Sequence, residues 1–386
     1  MIVGIIGSGA MGSGIAHVVA TAGHQVYLLD KNSKALERAS QTIKGGLDKL
    51  TAKGKISEAR ANEIYSQIKL TESHQDFGAC ELVLEAVVED LETKQNIFKE
   101  VEMIVQEKCI LATNTSSLSI TSIAAACNKP ERFIGIHFFN PAPVMQLVEV
   151  IPAVQTRAGL AEDIKQLVQQ WGKLPVVAKD TPGFIVNRVA RPFYGEAIRI
   201  LEEGIADVST IDWAMTELGG FRMGPFTLMD FIGHDVNYRV TETVFASFFY
   251  DPRYKPSFTQ KRLFEAGYYG RKSGRGFYSY QEGAAQPESN RDEALGKYIL
   301  NRILAMLINE AADALALNIA SKEDLETAMT KGVNYPEGLL AWADDWGLEK
   351  VLETLDGLYE EYHEDRYRAS VLLRKMVKVN KAFFSA

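Results

Sequence analysis

The first residues of the chain carry the pattern that most constrains its fold. A short apolar run, Ile2–Ile6, is followed by Gly7, Gly9 and Gly12 in the spacing G-x-G-x-x-G, and then by apolar residues at helical spacing from Ile15. A strand, a tight glycine turn and a helix in this order leave free amide groups at the helix N-terminus, where they can bind a pyrophosphate. The segment therefore predicts the first unit of a dinucleotide-binding domain.

An acidic residue at the end of the next apolar run indicates which dinucleotide binds. Residues 25–29 form this run, and Asp30 follows it. A carboxylate at this position can accept hydrogen bonds from the ribose hydroxyls of NAD and repels the additional phosphate of NADP. Alternatively, the glycines serve only helix–strand packing and Asp30 only caps a turn. We predict NAD as the cofactor, with contacts from Gly7, Gly9, Ala10, Met11, Gly12 and Asp30.

Further short apolar runs predict a parallel sheet. Residues 82–86 and 110–112 are mainly apolar and are separated by polar segments of helical pattern. This alternation is typical of parallel strands with crossover helices. Residues 31–70 show no strand pattern and predict a helical pair, broken near Gly54, between the second and third strands. Residues 1–180 are therefore predicted to form a doubly wound α/β domain of the Rossmann type.

The second half of the chain has a helical pattern throughout. At Asp180-Thr181-Pro182 we expect Thr181 to cap a helix, which should break or kink near Pro192. Residues 283–296 have the composition of a linker. The expected domains are thus an α/β domain followed by two all-α domains, at 181–282 and 297–386.

A repeat within the helical half supports two tandem copies. At one constant offset, and without a gap, Arg188 aligns with Arg302 and Glu196 aligns with Glu310. A register held over a long span is typical of a duplicated unit. The second copy has no glycine fingerprint or second nucleotide domain, so we interpret it as structural.

Composition excludes several classes of protein. The chain has 386 residues with 42 Lys and Arg against 50 Asp and Glu, a net charge of −8, which argues against a nucleic-acid-binding surface. Cys80, Cys109 and Cys127 have no metal-ligand spacing, so we predict no metal site and a reducing compartment. With no apolar run long enough to span a bilayer, we expect a cytoplasmic protein without a membrane partner.

One histidine is a candidate acid/base residue. Two apolar runs, 133–137 and 145–151, flank a proline-rich turn, and His137 and Glu149 are equidistant from Pro143 in sequence. If the runs pair as antiparallel strands about Pro143, the two residues face each other, and the carboxylate can fix the tautomer of the imidazole. Alternatively, His137 is structural and Glu149 faces solvent on an edge strand.

Several specific motifs connect the chain with a known family. They are Asn114-Thr115-Ser116-Ser117, His137-Phe138-Phe139-Asn140-Pro141, Leu147-Val148-Glu149-Val150, Asp180-Thr181-Pro182-Gly183-Phe184-Ile185-Val186-Asn187-Arg188 and Gly224-Pro225. With these motifs, residues 1–280 resemble the 3-hydroxyacyl-CoA dehydrogenase family. The resemblance implies NAD-dependent, reversible oxidation of a (3S)-3-hydroxyacyl-CoA to a 3-oxoacyl-CoA in fatty-acid or related acyl-CoA metabolism.

The resemblance also implies roles for individual residues. His137 would be the acid/base and Glu149 its partner. Ser116, Asn140 and Asn187 would line the substrate site, although taken alone Ser116 reads as a helix cap. Glu89, Lys94 and Asn114 would lie near the cofactor. Lys53 is a candidate contact for the phosphates of coenzyme A, with a solvated helix face as the alternative.

Two rival functions and the oligomeric state stay open at this point. The rivals are a β-hydroxyacid dehydrogenase that acts on a free acid and a catalytically silent nucleotide-binding member of the family. In the family the helical domain makes dimer contacts, so a tandem copy can take the partner's place within one chain. We therefore expect a monomer or a homodimer.

Overall fold

The computed structural model describes residues 1–384, which separate into two compact units. The first unit, Met1–Phe184, is an α/β domain, and the second begins at Ile185 and is built from helices. None of the helices in the described part of the chain is long and apolar enough to cross a membrane.

The first unit is built on one eight-stranded sheet with the order β3-β2-β1-β4-β5-β6-β7-β8. Neighbouring strands are parallel except for the antiparallel pair β6 and β7. The order reverses between β1 and β4, and in doubly wound sheets ligands bind at the carboxyl ends of the strands at such a point. The strands are β1 Ile2–Ile6, β2 Gln25–Leu29, β3 Ile68–Thr71, β4 Leu82–Glu85, β5 Ile110–Thr113, β6 Phe133–Phe138, β7 Leu147–Pro152 and β8 Leu174–Val177.

Six α-helices accompany this sheet. Several begin at side-chain caps: Asn32, Ser57, Asp90 and Ser119 each accept a hydrogen bond from a backbone amide of the first helical turn. The helices are α1 Ala10–Thr21, α2 Ser33–Ala52, α3 Glu58–Ser66, α4 Leu91–Glu102, α5 Ile120–Ala124 and α6 Leu160–Gln170. The pair α2 and α3 is the helical insert that the sequence predicts, and it is interrupted around Gly54.

The sequence prediction missed both edge strands. β3 alternates Ile68 and Leu70 with polar residues, and β8 is four residues long with Pro175 within it. Strands this short, and a strand that contains proline, are compatible with the edge of a sheet but give a weak signal. The antiparallel pair β6 and β7 therefore does not end the sheet, because β8 pairs in parallel with β7 and forms the edge.

The second unit consists of eleven α-helices in its described part. These are α7 Val186–Val189, α8 Arg191–Glu202, α9 Val208–Trp213, α10 Pro225–Ile232, α11 His234–Ser247, α12 Phe258–Glu265, α13 Glu293–Ala316, α14 Lys322–Gly332, α15 Leu339–Trp346, α16 Leu348–Tyr362 and α17 Val371–Lys378. The segment between α12 and α13 contains a short 3-10 turn and two isolated bridges rather than regular helix.

The expectation that Thr181 caps a helix is wrong. Residues 181–185 form a turn, in which Gly183 and Phe184 have φ of 73° and 46°. Because positive φ interrupts a right-handed helix, α7 begins only at Val186. The expected break near Pro192 is present: α7 ends at Val189, and Pro192 lies in the first turn of α8.

Two equivalent Arg–Glu ion pairs join the two halves of the helical unit. In one pair the arginine comes from the first half, and in the other pair it comes from the second half. Arg188 Nε donates to Glu310 Oε1 at 2.8 Å, and Arg302 Nε donates to Glu196 Oε1 at 2.6 Å. Arg302 and Glu310 are the residues that align with Arg188 and Glu196 in the sequence repeat. Contacts that return with exchanged roles are characteristic of an isologous, twofold interface.

Helix capping repeats in the same register. Asp212 accepts from the amides of Phe226 and Thr227 at 2.9 Å each. Glu326, at the same offset, accepts from the amides of Leu340 and Ala341 at 2.9 and 3.1 Å. The two halves therefore share local structure as well as sequence pattern.

Candidate active site

The three glycines of the G-x-G-x-x-G motif have different structural roles in the turn between β1 and α1. Gly7 has φ of +96°, and a Cβ there would lie 2.6 Å from the Ala86 oxygen, while a Cβ on Gly12 would lie 1.8 Å from the Gly7 oxygen. A Cβ on Gly9 would meet nothing within 4 Å. Gly7 therefore makes the turn, Gly12 allows close packing, and Gly9 leaves an open space at the start of α1, as a pyrophosphate requires.

Asp30 is held in place at the end of β2. Its Oδ2 accepts from the Ser8 amide at 2.9 Å and the Ser8 hydroxyl at 2.8 Å, and its Oδ1 accepts from the Asn32 amide at 3.0 Å. Burial raises the pKa of Asp30, but these hydrogen bonds outweigh it, so the net pKa lies below the usual value. The carboxylate is thus ionised and oriented before any ligand binds.

A cleft of about 790 Å³ lies beside the glycine turn. Its size falls within the range of roughly 300–1,000 Å³ that is typical of small-molecule sites. The predicted contacts Gly7, Gly9, Ala10, Met11 and Asp30 all line it, together with Val87, Val88 and Ile97. Gly12 is buried beneath the turn. An open glycine turn, a fixed carboxylate and this cleft fit a bound NAD.

His137 and Glu149 face each other on β6 and β7, as the spacing about Pro143 predicts. Nδ1 of His137 lies 2.7 Å from Oε2 of Glu149, and the two residues are only 6% and 0% exposed. The rings of Phe139 and Phe184 pack near the imidazole, with centroids 4.5 and 5.9 Å away. A buried ring with one nitrogen bound to a carboxylate is oriented and leaves Nε2 as the nitrogen that can exchange a proton.

A second carboxylate organises the loop after β5. Glu89 Oε1 accepts from the amides of Ser116 and Ser117 at 3.0 and 3.1 Å and from the hydroxyls of Thr115 and Ser117. Burial raises the pKa of Glu89, but Lys94 and these hydrogen bonds outweigh it, and the net pKa is lowered. Glu89 therefore fixes the backbone on either side of Ser116.

Lys94 lies beneath this loop. It is 1% exposed, and its ammonium is 2.6 Å from Glu85 Oε1 and 3.3 Å from Glu89 Oε2. Glu85, at the end of β4, also accepts from the Thr113 hydroxyl at 2.7 Å. Sequence reasoning missed Glu85, although a single acidic residue in an otherwise apolar strand is a signal that could have found it.

The other predicted site residues lie in different surroundings. Asn114 accepts from the Phe138 amide at 2.8 Å and so connects β5 to β6 beside His137. Asn140 is exposed and precedes a cis peptide bond to Pro141. Lys53 is exposed at the end of α2, and Asn187 is half-buried on α7 of the second unit.

Sequence profiles of known families cover nearly the whole chain. The profile described as "3-hydroxyacyl-CoA dehydrogenase, NAD binding domain" matches residues 2–181. The profile described as "3-hydroxyacyl-CoA dehydrogenase, C-terminal domain" matches residues 183–280 and 298–382. The chain belongs to the 3-hydroxyacyl-CoA dehydrogenase family.

Individual members of this family are similar over different lengths. The 3-hydroxyadipyl-CoA dehydrogenase of Escherichia coli is 37% identical, with 99% of this chain and 98% of the relative covered. The human mitochondrial hydroxyacyl-coenzyme A dehydrogenase is 39% identical, but it covers only 72% of this chain. The crystal structure of an Escherichia coli 3-hydroxybutyryl-CoA dehydrogenase superposes with a TM-score of 0.92 at 36% identity and covers 98% of both chains.

Membership of the 3-hydroxyacyl-CoA dehydrogenase family gives the chain its reaction class and cofactor. The chain is an NAD-dependent oxidoreductase of acyl-CoA metabolism, and its reaction is the oxidation of a 3-hydroxyacyl-CoA. The open glycine turn and the cleft of the first unit are the features of this chain that fit NAD.

Proposed function

We propose that His137 is the acid/base residue of this reaction and that Glu149 positions it. The observation that carries the proposal is the buried contact of 2.7 Å between Nδ1 of His137 and Oε2 of Glu149. The substrate would be a (3S)-3-hydroxyacyl-CoA and the product the corresponding 3-oxoacyl-CoA.

The proton chemistry follows from this contact. In the neutral ring whose Nδ1 hydrogen is donated to Glu149, Nε2 carries the lone pair that takes the hydroxyl proton of the substrate as the C3 carbonyl forms. The positive charge that develops on the ring is stabilised by the adjacent carboxylate. NAD, when bound, supplies the acceptor for the hydride from C3. In the reverse direction the imidazolium of His137 returns its proton to the oxygen on C3.

The remaining predicted residues would bind the substrate and the cofactor and hold them in position. We assign Ser116, Asn140 and Asn187 to the substrate, and Asn114 and Glu89 to the nicotinamide end of the cofactor. Lys94 is buried between two carboxylates, so we assign it an indirect role, which is to hold Glu89 and thereby the Ser116 loop. Lys53 remains a candidate contact for the phosphates of coenzyme A because it is exposed on the helical insert.

The assay that tests the proposed function compares a thioester with the free acid. The protein should oxidise NADH with acetoacetyl-CoA and show little turnover with acetoacetate, as followed by absorbance. A preference for acetoacetate would favour the β-hydroxyacid dehydrogenase, while NADH binding without turnover of either compound would favour the silent family member.

Replacing Asp30 should change the cofactor preference. In Asp30→Ala the affinity for NADH should fall about ten- to a hundredfold, since hydrogen bonds to a charged group are lost. The preference for NADH over NADPH should therefore decrease. Titration of the protein fluorescence with NADH and with NADPH measures the affinity for each cofactor and therefore the preference. Asp163→Ala, at an exposed acidic position of the same unit, is the matched control and should bind NADH normally. An unmodified protein that prefers NADPH would overturn the role of Asp30.

We further propose that the protein is a monomer in the cytoplasm. The Arg188–Glu310 and Arg302–Glu196 contacts between the two helical halves support the monomeric state, because they occupy the surface that a partner subunit would need. The three cysteines are buried and free, which fits a reducing compartment. Light scattering should give a mass near 42.8 kDa over a wide concentration range, and a stable dimer mass would contradict the proposal.

A further inference from the structure

A histidine and a glutamate form a polar pair in the cleft of the first unit. Nδ1 of His74 lies 3.2 Å from Oε1 of Glu100, and both residues line the cleft of about 790 Å³ together with Asp30. His74 is 8% exposed, whereas the side chain of Glu100 is 53% exposed. The pair therefore joins a buried ring to a carboxylate that a ligand in the cleft can reach.

The geometry of the pair determines which atom donates. An ionised carboxylate only accepts hydrogen bonds, so Nδ1 of His74 carries the hydrogen and donates it to Glu100. Nε2 of His74 is buried and has no hydrogen-bond partner within residues 1–384, and the ring of Phe77 lies beside the imidazole with centroids 6.2 Å apart. The contact with His74 thus orients the carboxylate of Glu100.

The carboxylate of Glu100 can still accept further hydrogen bonds. Its two oxygens have room for several donors, and within residues 1–384 its contact with His74 is its one hydrogen bond or ion pair. By contrast, Glu102 in the same last turn of α4 accepts from the amides of Asn128 and Lys129 at 2.6 and 2.8 Å. Of these two acidic residues, Glu100 is the one that is available to a ligand.

The sheet brings this pair close to Asp30. The Asp30 amide donates to the Thr71 oxygen at the end of β3 at 3.2 Å, and His74 follows Thr71 by three residues. In a dinucleotide site the carboxylate at the end of the second strand binds the ribose of the adenosine. Because adenine is bonded directly to that ribose, His74 and Glu100 border the part of the cleft where the adenine would lie.

The lining of the cleft suits a purine base. Its walls include the apolar side chains of Leu29, Val88 and Ile97, which can pack against the faces of a flat ring. Specificity in such a site comes from a few polar groups. Adenine carries an exocyclic amino group, which is a hydrogen-bond donor. A carboxylate complements that amino group but repels a carbonyl at the same ring position.

We propose that Glu100, oriented by His74, accepts a hydrogen bond from the exocyclic amino group of the adenine and so selects the adenine form of the dinucleotide. Glu100 is then a residue that determines cofactor specificity, and His74 is a positioning residue. This selection extends the assignment of NAD as the cofactor. It is independent of the acid/base role of His137, because it concerns binding in the absence of substrate.

Two dinucleotides that differ at the base test the proposal on the unmodified protein. Reduced nicotinamide hypoxanthine dinucleotide has a carbonyl where NADH has the amino group. NADH should bind about tenfold more tightly, since one hydrogen bond to a half-exposed carboxylate is lost in the hypoxanthine form. Titration of the protein fluorescence measures both dissociation constants. Equal affinities would overturn the proposal, and if neither dinucleotide binds, the assignment of NAD itself fails.

A variant of Glu100 separates recognition of the base from folding. In Glu100→Gln the side-chain amide can accept from adenine and donate to hypoxanthine, so the two affinities should agree within about twofold, mainly because the hypoxanthine form binds better. A loss of the same size for both dinucleotides would show a structural role and overturn the proposal. The matched control is Glu92→Gln at an exposed position of α4 outside the cleft, which should keep the full preference for NADH.

Variants of His74 test the positioning role. His74→Phe keeps a ring beside Phe77 but cannot donate to Glu100, so the preference for NADH should fall to about threefold as the carboxylate loses its fixed orientation. His74→Asn places an amide nitrogen near the position of Nδ1 and should recover part of the preference. If His74→Phe weakens binding of both dinucleotides equally, or leaves the full preference in place, His74 does not position Glu100.

Discussion

His137→Gln should lower turnover of acetoacetyl-CoA by about 10²–10⁴-fold, the usual effect of losing a general acid/base residue. Glutamine approximates the size of histidine but cannot exchange a proton at neutral pH. The affinity for NADH should change little, because the variant leaves in place all the residues that we assign to the cofactor, at the glycine turn, Asp30, Glu89, Glu100 and Asn114. Steady-state kinetics and fluorescence titration with NADH measure the two quantities separately.

The control for this variant is another histidine. His363 is exposed and adopts the left-handed conformation, φ 48°, after α16, so His363→Asn preserves the local backbone preference. It should show normal turnover. If His137→Gln retains turnover within about tenfold of the unmodified protein, the imidazole is not the acid/base group.

Arg302→Met should lower the free energy of unfolding of the helical unit by about 3–5 kcal/mol, since it leaves Glu196 buried without its charge partner. Arg302 is buried and also contacts Glu203 and Tyr367, at 2.7 and 2.8 Å. Urea unfolding followed by circular dichroism measures the loss. The double variant Arg302→Met with Glu196→Gln should be more stable than Arg302→Met alone, because no unpaired charge remains at that position.

Two outcomes would contradict the role of this pair. One is additive losses in the double variant, which would mean that Arg302 and Glu196 are not coupled. The other is a loss of similar size in Lys297→Met, the control, which removes an exposed ion pair with Glu293 on α13. We expect this control to leave the unfolding midpoint unchanged, because exposed pairs contribute little.

The sequence predicted the parts of the site whose geometry is local. The glycine turn is set by three residues in one short segment, and the pairing of His137 with Glu149 follows from the turn at Pro143 between two adjacent strands. In both cases the partners are joined by a short stretch of chain, so spacing alone determines which residues meet.

The parts that sequence reasoning missed depend on residues far apart in the chain. Glu85 meets Thr113 only because β4 and β5 pair side by side in the sheet. The edge strands β3 and β8 are stabilised by one neighbour each, so their own residues need carry little strand signal.

Joining both sides of a twofold interface in one chain changes how that interface can evolve. In a homodimer each substitution occurs twice, so a change at Arg188 would alter both symmetry-related copies of its contact with Glu196 at once. Here Arg188 and Arg302 are separate positions and can be altered one at a time. The two halves also stay together at any dilution, because the linker fixes their effective concentration. One half is therefore free to specialise for recognition of the substrate while the other keeps only the complementary surface.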